Sequence, residues 1–219
     1  MHWLGKDVTD QALTIAASSM QKNISGTPAT PKLAEALSMV PSPYLKYFYR
    51  PDDSIAEQKS SPKTRAEEVM EIEAELMRIY KDPAVVSKPP ALAKRGGAHY
   101  STVAIDVMSS VYNDSGKVEI VDIPHAGAVD GFPASSVMEI PAVIDATGAH
   151  PIHIGSIEPE IRGLMHQVKA YEELTIEAAV THSYNRALLA LINNPLVQDA
   201  GKAERLLDAL VESKRASLR

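Results

Sequence analysis

The sequence predicts an α+β protein, helix-rich with a small, mainly antiparallel sheet. Several stretches place apolar residues three and four apart between proline or glycine breaks, which is the helical period. Only residues 117–123 (KVEIVDI) and 137–144 (VMEIPAVI) read as strands, the first alternating with period two. No G-x-G-x-x-G or G-x-x-x-x-G-K-[ST] follows a strand, so nothing marks a nucleotide-phosphate loop.

Composition narrows the function classes. The 219 residues are enough for a substantial core. Lys and Arg number 22 against 28 Asp and Glu, a net charge of −6, so no broad basic surface advertises nucleic acid or an anionic membrane. No apolar run approaches the length of a membrane span. The opening residues MHWLGKDVTD turn polar at once, unlike a secretory signal, and a cytoplasmic location is expected. The absence of cysteine excludes disulfides, thiol catalysis and cysteine-based zinc sites.

The elements follow in order. A helix is expected over 10–20 with Thr9 as N-cap, and a second over 31–40, broken by Pro41-Ser42-Pro43. Tyr44, Tyr47 and Phe48 then stand at helical spacing, suiting a core or subunit contact. Residues 51–61 are polar and read as a surface loop. Ser61-Pro62 reads as an N-cap with proline in the first turn, opening a helix over 62–82. Its apolar face is Val69, Ile72, Leu76 and Ile79, and Glu67, Glu68, Glu71 and Glu75 lie on the solvated side. Pro89-Pro90 makes 87–93 a turn or extended connector. A helix over 100–112 carries Val103, Val107 and Val111 on one stripe. Pro141 places the second strand at an edge or bulge. Helices over 159–180, 184–193 and 203–213 close the chain, the last with Leu206, Leu207, Leu210 and Val211 on its apolar side.

The segment Lys94-Arg95-Gly96-Gly97-Ala98-His99-Tyr100-Ser101 holds the best candidate chemistry. Two glycines allow close backbone approach to a ligand, beside a cation and at the mouth of a helix whose N–H groups favour an anion. Tyr100 sits in the first turn, where the helix dipole stabilises a phenolate. On pattern alone, a plain Gly-Gly helix start is the favoured reading. His125 and Asp122 share a strand end, and His150 and His153 flank Pro151. Their spacings match no standard metal pattern, and isolated loop histidines are usually surface residues.

Read together, these segments resemble the C-terminal part of glycoside hydrolase family 4, most closely its 6-phospho-β-glucosidase branch. The matching stretches include Gly5-Lys6-Asp7-Val8, 40–49 (VPSPYLKYFY), Lys88-Pro89, Arg95-Gly96-Gly97 to Tyr100-Ser101, 137–141 (VMEIP), Gly148-Ala149-His150-Pro151 and Asn194-Pro195-Leu196-Val197. Their number and order span nearly the whole chain. The resemblance implies a fold like the C-terminal domain of lactate and malate dehydrogenases. It implies that 1–219 form one domain for catalysis, substrate and oligomerisation. The family's N-terminal Rossmann half, which holds NAD and supplies the cysteine and histidine ligands of a manganese ion, is expected to be absent from this chain. His2 stands too close to Gly5 to be that histidine, so this chain is expected to contribute no cofactor or metal ligand.

The resemblance also implies the roles of particular residues. Tyr100 maps onto the family's proposed base, with Arg95, Gly96, Gly97 and His125 at the substrate. The implied chemistry departs from the two-carboxylate scheme. NAD takes hydride from C3 of a 6-phosphosugar and the resulting ketone acidifies the C2 proton. The tyrosine removes that proton while the metal stabilises the enolate, the C1–oxygen bond breaks, water adds and the hydride returns. Two departures stand out. The branch's usual Asn-x-x-Asn-x-Gly reads Asp122-Ile123-Pro124-His125-Ala126-Gly127 here, and His99 replaces an apolar or aromatic residue. The expected function is therefore the C-terminal portion of a 6-phospho-β-glucosidase-like enzyme acting on a phosphorylated disaccharide or glucoside. Alone it is expected to be inactive and to bind neither NAD nor metal. Expected partners are further copies of itself and a separate NAD-binding half, with no nucleic acid or membrane. The alternatives are a non-catalytic remnant serving as an oligomerisation module, or a 2-hydroxy-acid dehydrogenase-like protein, whose His–Asp/Arg site is not found.

Overall fold

The computed structural model describes residues 2, 3, 6–8, 11, 14, 31–95 and 100–217. The chain divides into two compact units, Met1–Met108 and Ser109–Arg219. Gln11 and Thr14 are helical, and the rest of the helix expected over 10–20 lies outside the described residues.

In the first unit, a two-stranded antiparallel ribbon, β1 (His2–Trp3) and β2 (Lys6–Asp7), pairs His2 with Asp7 and Trp3 with Lys6. Helix α1 (Pro31–Leu37) is followed by a 3₁₀ turn at Pro43–Leu45 and the short α2 (Lys46–Tyr49). The aromatic stripe divides here: Tyr44 is exposed, while Tyr47 and Phe48 are half-buried. The buried Lys46 ammonium lies 3.2 Å from Glu57 and 5.3 Å from the centre of the Tyr47 ring.

Residues expected to form a loop at 51–61 instead form α3 (Pro51–Ser60). This helix has no apolar stripe, so periodicity cannot reveal it. Its end signals can: Pro51 opens the first turn, Asp52 and Asp53 suit the positive end of the dipole, and Lys59 suits the negative end. Helix α4 (Arg65–Ile79) starts later than Ser61-Pro62 suggested. Thr64 is its N-cap in a reciprocal box: its hydroxyl accepts from the Glu67 N–H at 3.2 Å, and the Glu67 carboxylate accepts from the Thr64 N–H at 2.7 Å. The Thr64 backbone N–H, then its hydroxyl, hold the Glu67 carboxyl below its ordinary pKa. Leu76 is buried and Val69, Ile72 and Ile79 are half-buried, with the four glutamates exposed, as the stripe predicts. Replacing Thr64 with alanine should cost about 1 kcal/mol. Urea unfolding checks this, and a Thr64→Ala midpoint equal to wild type would deny the cap its role.

The expected connector at 87–93 contains the start of α5 (Pro90–Arg95), where Pro90 again occupies a first helical position. Helix α6 (Tyr100–Tyr112) matches its expected bounds, but its valine stripe does not mark a buried face. Val103 and Val111 are exposed, Val107 is half-buried, and Ser110 is the buried residue. Ile105 and Met108 are exposed as well, so apolar residues lie on every side and spacing cannot select a face.

The second unit holds a three-stranded antiparallel sheet in the order β3 (Lys117–Pro124), β4 (Val137–Asp145), β5 (Gly148–Pro151). The β3–β4 register runs from Lys117 opposite Ile144 to Pro124 opposite Val137. Met138, Ile140, Ala142 and Ile144 face inward and are buried, and the first two join Ala128 and Val129 in a core cluster. On the opposite face Val118 and Ile120 stay more than half exposed, at 57% and 56%. Pro141 lies in the central strand, not at an edge. Its carbonyl accepts from Ile152 N at 3.0 Å, so its nitrogen points toward the β5 side, beyond the last β5 pair, Pro151 with Ala142. No hydrogen bond to β3 is lost.

Strand β5 was not expected, being four residues long without alternation. The turn before it is held by Asp145, whose Oδ1 accepts from the Thr147 hydroxyl (2.6 Å), the Thr147 N–H (2.7 Å) and His150 Nε2 (3.0 Å). The Thr147 hydroxyl, the Thr147 N–H and His150, in that order, push the Asp145 carboxyl from 3.8 down to about 2. A carboxyl depressed in the folded state stabilises it above its unfolded pKa, and that contribution fades as the pH falls through its folded pKa. Wild type should therefore lose melting temperature between about pH 4 and 2 more steeply than Asp145→Asn. Parallel melting curves across that window would refute the assignment.

Helices α7 (Pro159–Thr181), α8 (Tyr184–Asn193) and α9 (Ala200–Ser217) complete the unit. The Tyr184 hydroxyl donates to Asp208 at 2.7 Å, and Arg186 pairs with Glu177 at 2.9 Å. In α9, Ala203 and Leu207 are buried and Val211 half-buried, whereas Leu206 and Leu210 are exposed. The buried ridge is the i, i+4 row starting at Ala203, an alanine the leucine pattern overlooks.

Candidate active site

The Arg95–Tyr100 segment belongs to the first unit. Arg95 ends α5, and its Nε and Nη2 donate to Glu73 Oε1 of α4 at 3.1 and 2.9 Å. Arg65, at the start of α4, donates to the Lys94 carbonyl at 2.9 Å. These three bonds tie the end of α5 to α4. Glu73 and Arg65 were not singled out from sequence. The Glu73–Arg95 pair is 22 residues apart, beyond any helical spacing signal. Gly96, Gly97, Ala98 and His99 lie outside the described residues. Tyr100 is the first residue of α6 and is 80% exposed. An exposed phenol at a helix N-terminus, with a fixed guanidinium five residues earlier, can meet an anionic ligand and exchange a proton with it.

His125 belongs to the second unit. It is wholly buried, with 0% of its surface exposed, and is not the surface loop residue that isolated histidines usually are. Its Nε2 lies 2.7 Å from the Pro133 carbonyl, and its Nδ1 accepts from the Gly127 and Val129 N–H groups, both at 3.2 Å. Asp122 is exposed on the other side of the strand end, opposite Glu139, so the structure does not bring Asp122 and His125 together. His150 is engaged with Asp145. Among the described residues, no three His, Cys, Asp or Glu side chains are grouped to hold a metal ion. No helix among them is long and apolar enough to cross a membrane.

A helix-rich chain with a small antiparallel sheet has the fold class of C-terminal domains of the lactate and malate dehydrogenase type. A model of the Family 4 glycosyl hydrolase C-terminal domain matches residues 1–197. The chain is 40% identical over 200 residues to a probable 6-phospho-beta-glucosidase of Bacillus subtilis, covering 90% of this chain and 45% of that protein. It is 33% identical over 211 residues to a 6-phospho-beta-glucosidase of Thermotoga maritima, covering 96% and 50%. The solved structure of the Thermotoga maritima enzyme with manganese, NAD+ and glucose-6-phosphate superimposes with a TM-score of 0.86 at 31% identity. That match covers 97% of this chain and 50% of the other. The chain belongs to glycoside hydrolase family 4, in its C-terminal domain. It spans about half the length of the curated relatives it matches.

Proposed function

We propose that this chain is the C-terminal portion of a 6-phospho-β-glucosidase, cleaving the O-glycosidic bond of 6-phosphoglucosides when joined, in cis or in trans, to an NAD-binding half. The observation that carries this is 40% identity to a 6-phospho-β-glucosidase over 90% of the chain. Tyr100 standing exposed at the start of α6 supports it. Residues 1–219 act as one functional domain in this reading, which also assembles with copies of itself.

NAD and manganese are the cofactors of the complete enzyme in this proposal. The described residues fit neither: no three-ligand group is present among them, and the sequence has no glycine-rich phosphate loop. No step is therefore derived through either group. This chain's own part is proton transfer and substrate holding. Tyr100 is the general base of this reading, for the C2 proton that an oxidation at C3 would acidify. Arg95, with Nε and Nη2 fixed on Glu73, turns Nη1 to a phosphate oxygen. The resemblance assigns Gly96 and Gly97 to the same substrate. The resemblance also assigns substrate binding to the 125–136 loop, which His125 anchors.

The test is assembly with a family 4 NAD-binding half, followed by assay with 4-nitrophenyl β-glucoside 6-phosphate, NAD and manganese. Nitrophenol release by the assembled protein, and none by either half alone, is the expected result. Cleavage of the unphosphorylated glucoside at the same rate would overturn the substrate class.

A further inference from the structure

Its hydrogen bonds fix the tautomer and the orientation of the His125 ring. A carbonyl can only accept, so Nε2 must carry the proton it donates to Pro133. Two N–H groups point at Nδ1, so Nδ1 must present its lone pair to Gly127 and Val129. One side chain thereby ties Gly127, Val129 and Pro133 together within the 125–136 loop. Backbone bonds close the same loop: His125 N to Ser136 O at 3.1 Å and Ala126 N to Ala134 O at 2.9 Å. Ala126 and Gly127 are held at φ +51° and +88°. A left-handed alanine persists only where its surroundings over-determine it. Both ring nitrogens are occupied and the ring is sealed from solvent, so it has nothing left to offer a sugar.

We propose that His125 is a positioning residue. It contributes to substrate binding by locking the 125–136 loop through a single Nε2–H tautomer, and does not itself touch the substrate. This rests on the reading of the chain as part of a 6-phosphoglucosidase, and deepens it. An asparagine side chain at 125 would offer Oδ1 where His125 offers Nδ1.

Nitrogen NMR of the intact chain tests the lock without any activity. The expected result is one fixed tautomer, with Nδ1 bare and Nε2 protonated, unchanged when glucose 6-phosphate is added. An imidazole that exchanges tautomers, or whose ring nitrogens shift directly on ligand addition, overturns the proposal. His125→Ala should strip hydrogen-exchange protection from the Gly127 and Val129 amides and weaken glucose 6-phosphate binding about 10-fold or more. His125→Asn should restore both. Unchanged binding in His125→Ala overturns the positioning role. A locked tautomer in a chain that still lacks affinity for glucose 6-phosphate after assembly with the NAD-binding half would support the lock and refute the substrate reading beneath it.

Discussion

Replacing Tyr100 with phenylalanine should lower kcat of the assembled enzyme by about 10²-fold or more, the usual scale for loss of a general base. The substitution keeps the ring and removes only the ionisable oxygen. At 80% exposure, Tyr100 packs little of its ring, so folding should not change. Exchange of the substrate's C2 proton with solvent deuterium should fall in step with kcat, because both need the same proton transfer. A Tyr100→Phe enzyme that hydrolyses a 6-phosphoglucoside at the wild-type rate would remove the tyrosine from the chemistry. If C2 exchange survives while kcat falls, Tyr100 serves a later step.

The largest stability effect should come from Ile144. Its side chain is 1% exposed on the inward face of the central strand, opposite Lys117 of β3 and Ala149 of β5. Truncation to alanine removes buried methyl and methylene groups and leaves a cavity that a paired strand cannot close, at a cost of about 3 kcal/mol. That is a large fraction of the 5–15 kcal/mol typical of a domain. Urea unfolding should show the midpoint falling with an unchanged slope. A loss under about 1 kcal/mol would mean that the neighbours collapse into the space or that Ile144 lies outside the cooperative core. On the opposite face, Val118→Thr should have far less effect, since that valine is already more than half exposed.

Much of this fold is legible in the sequence, and the misses share a cause. Strand β3, strand β4 and helices α7 and α8 are visible because alternation, period and breaking residues agree. Helix α3 is missed because it buries little more than Ser54, leaving no stripe to read. The faces of α6 and α9 are misjudged where apolar residues surround the helix, or where the buried position is an alanine among leucines. Tyr100 and Arg95 become candidates through family resemblance more than through spacing. Glu73, which fixes the Arg95 guanidinium, is invisible to both local pattern and helix periodicity because it arrives from another helix. The three-way bonding of His125 depends on where the chain folds back at Pro133, which no local spacing encodes.

Pro141 acts as a proofreader of strand pairing. The outward side of β4 carries Val137 and Val143 beside Glu139, Pro141 and Asp145. Turned over by one residue, β4 would present those valines to the core together with Glu139 and Asp145, whose burial already opposes the slip. The same rotation would swing the proline nitrogen toward β3, where the ladder requires a donor that proline lacks. The ring thus contributes little to the energy of the correct hairpin and much to the energy of the wrong one. Its value lies in the fidelity of folding, a quantity that equilibrium stability of the native sheet does not report.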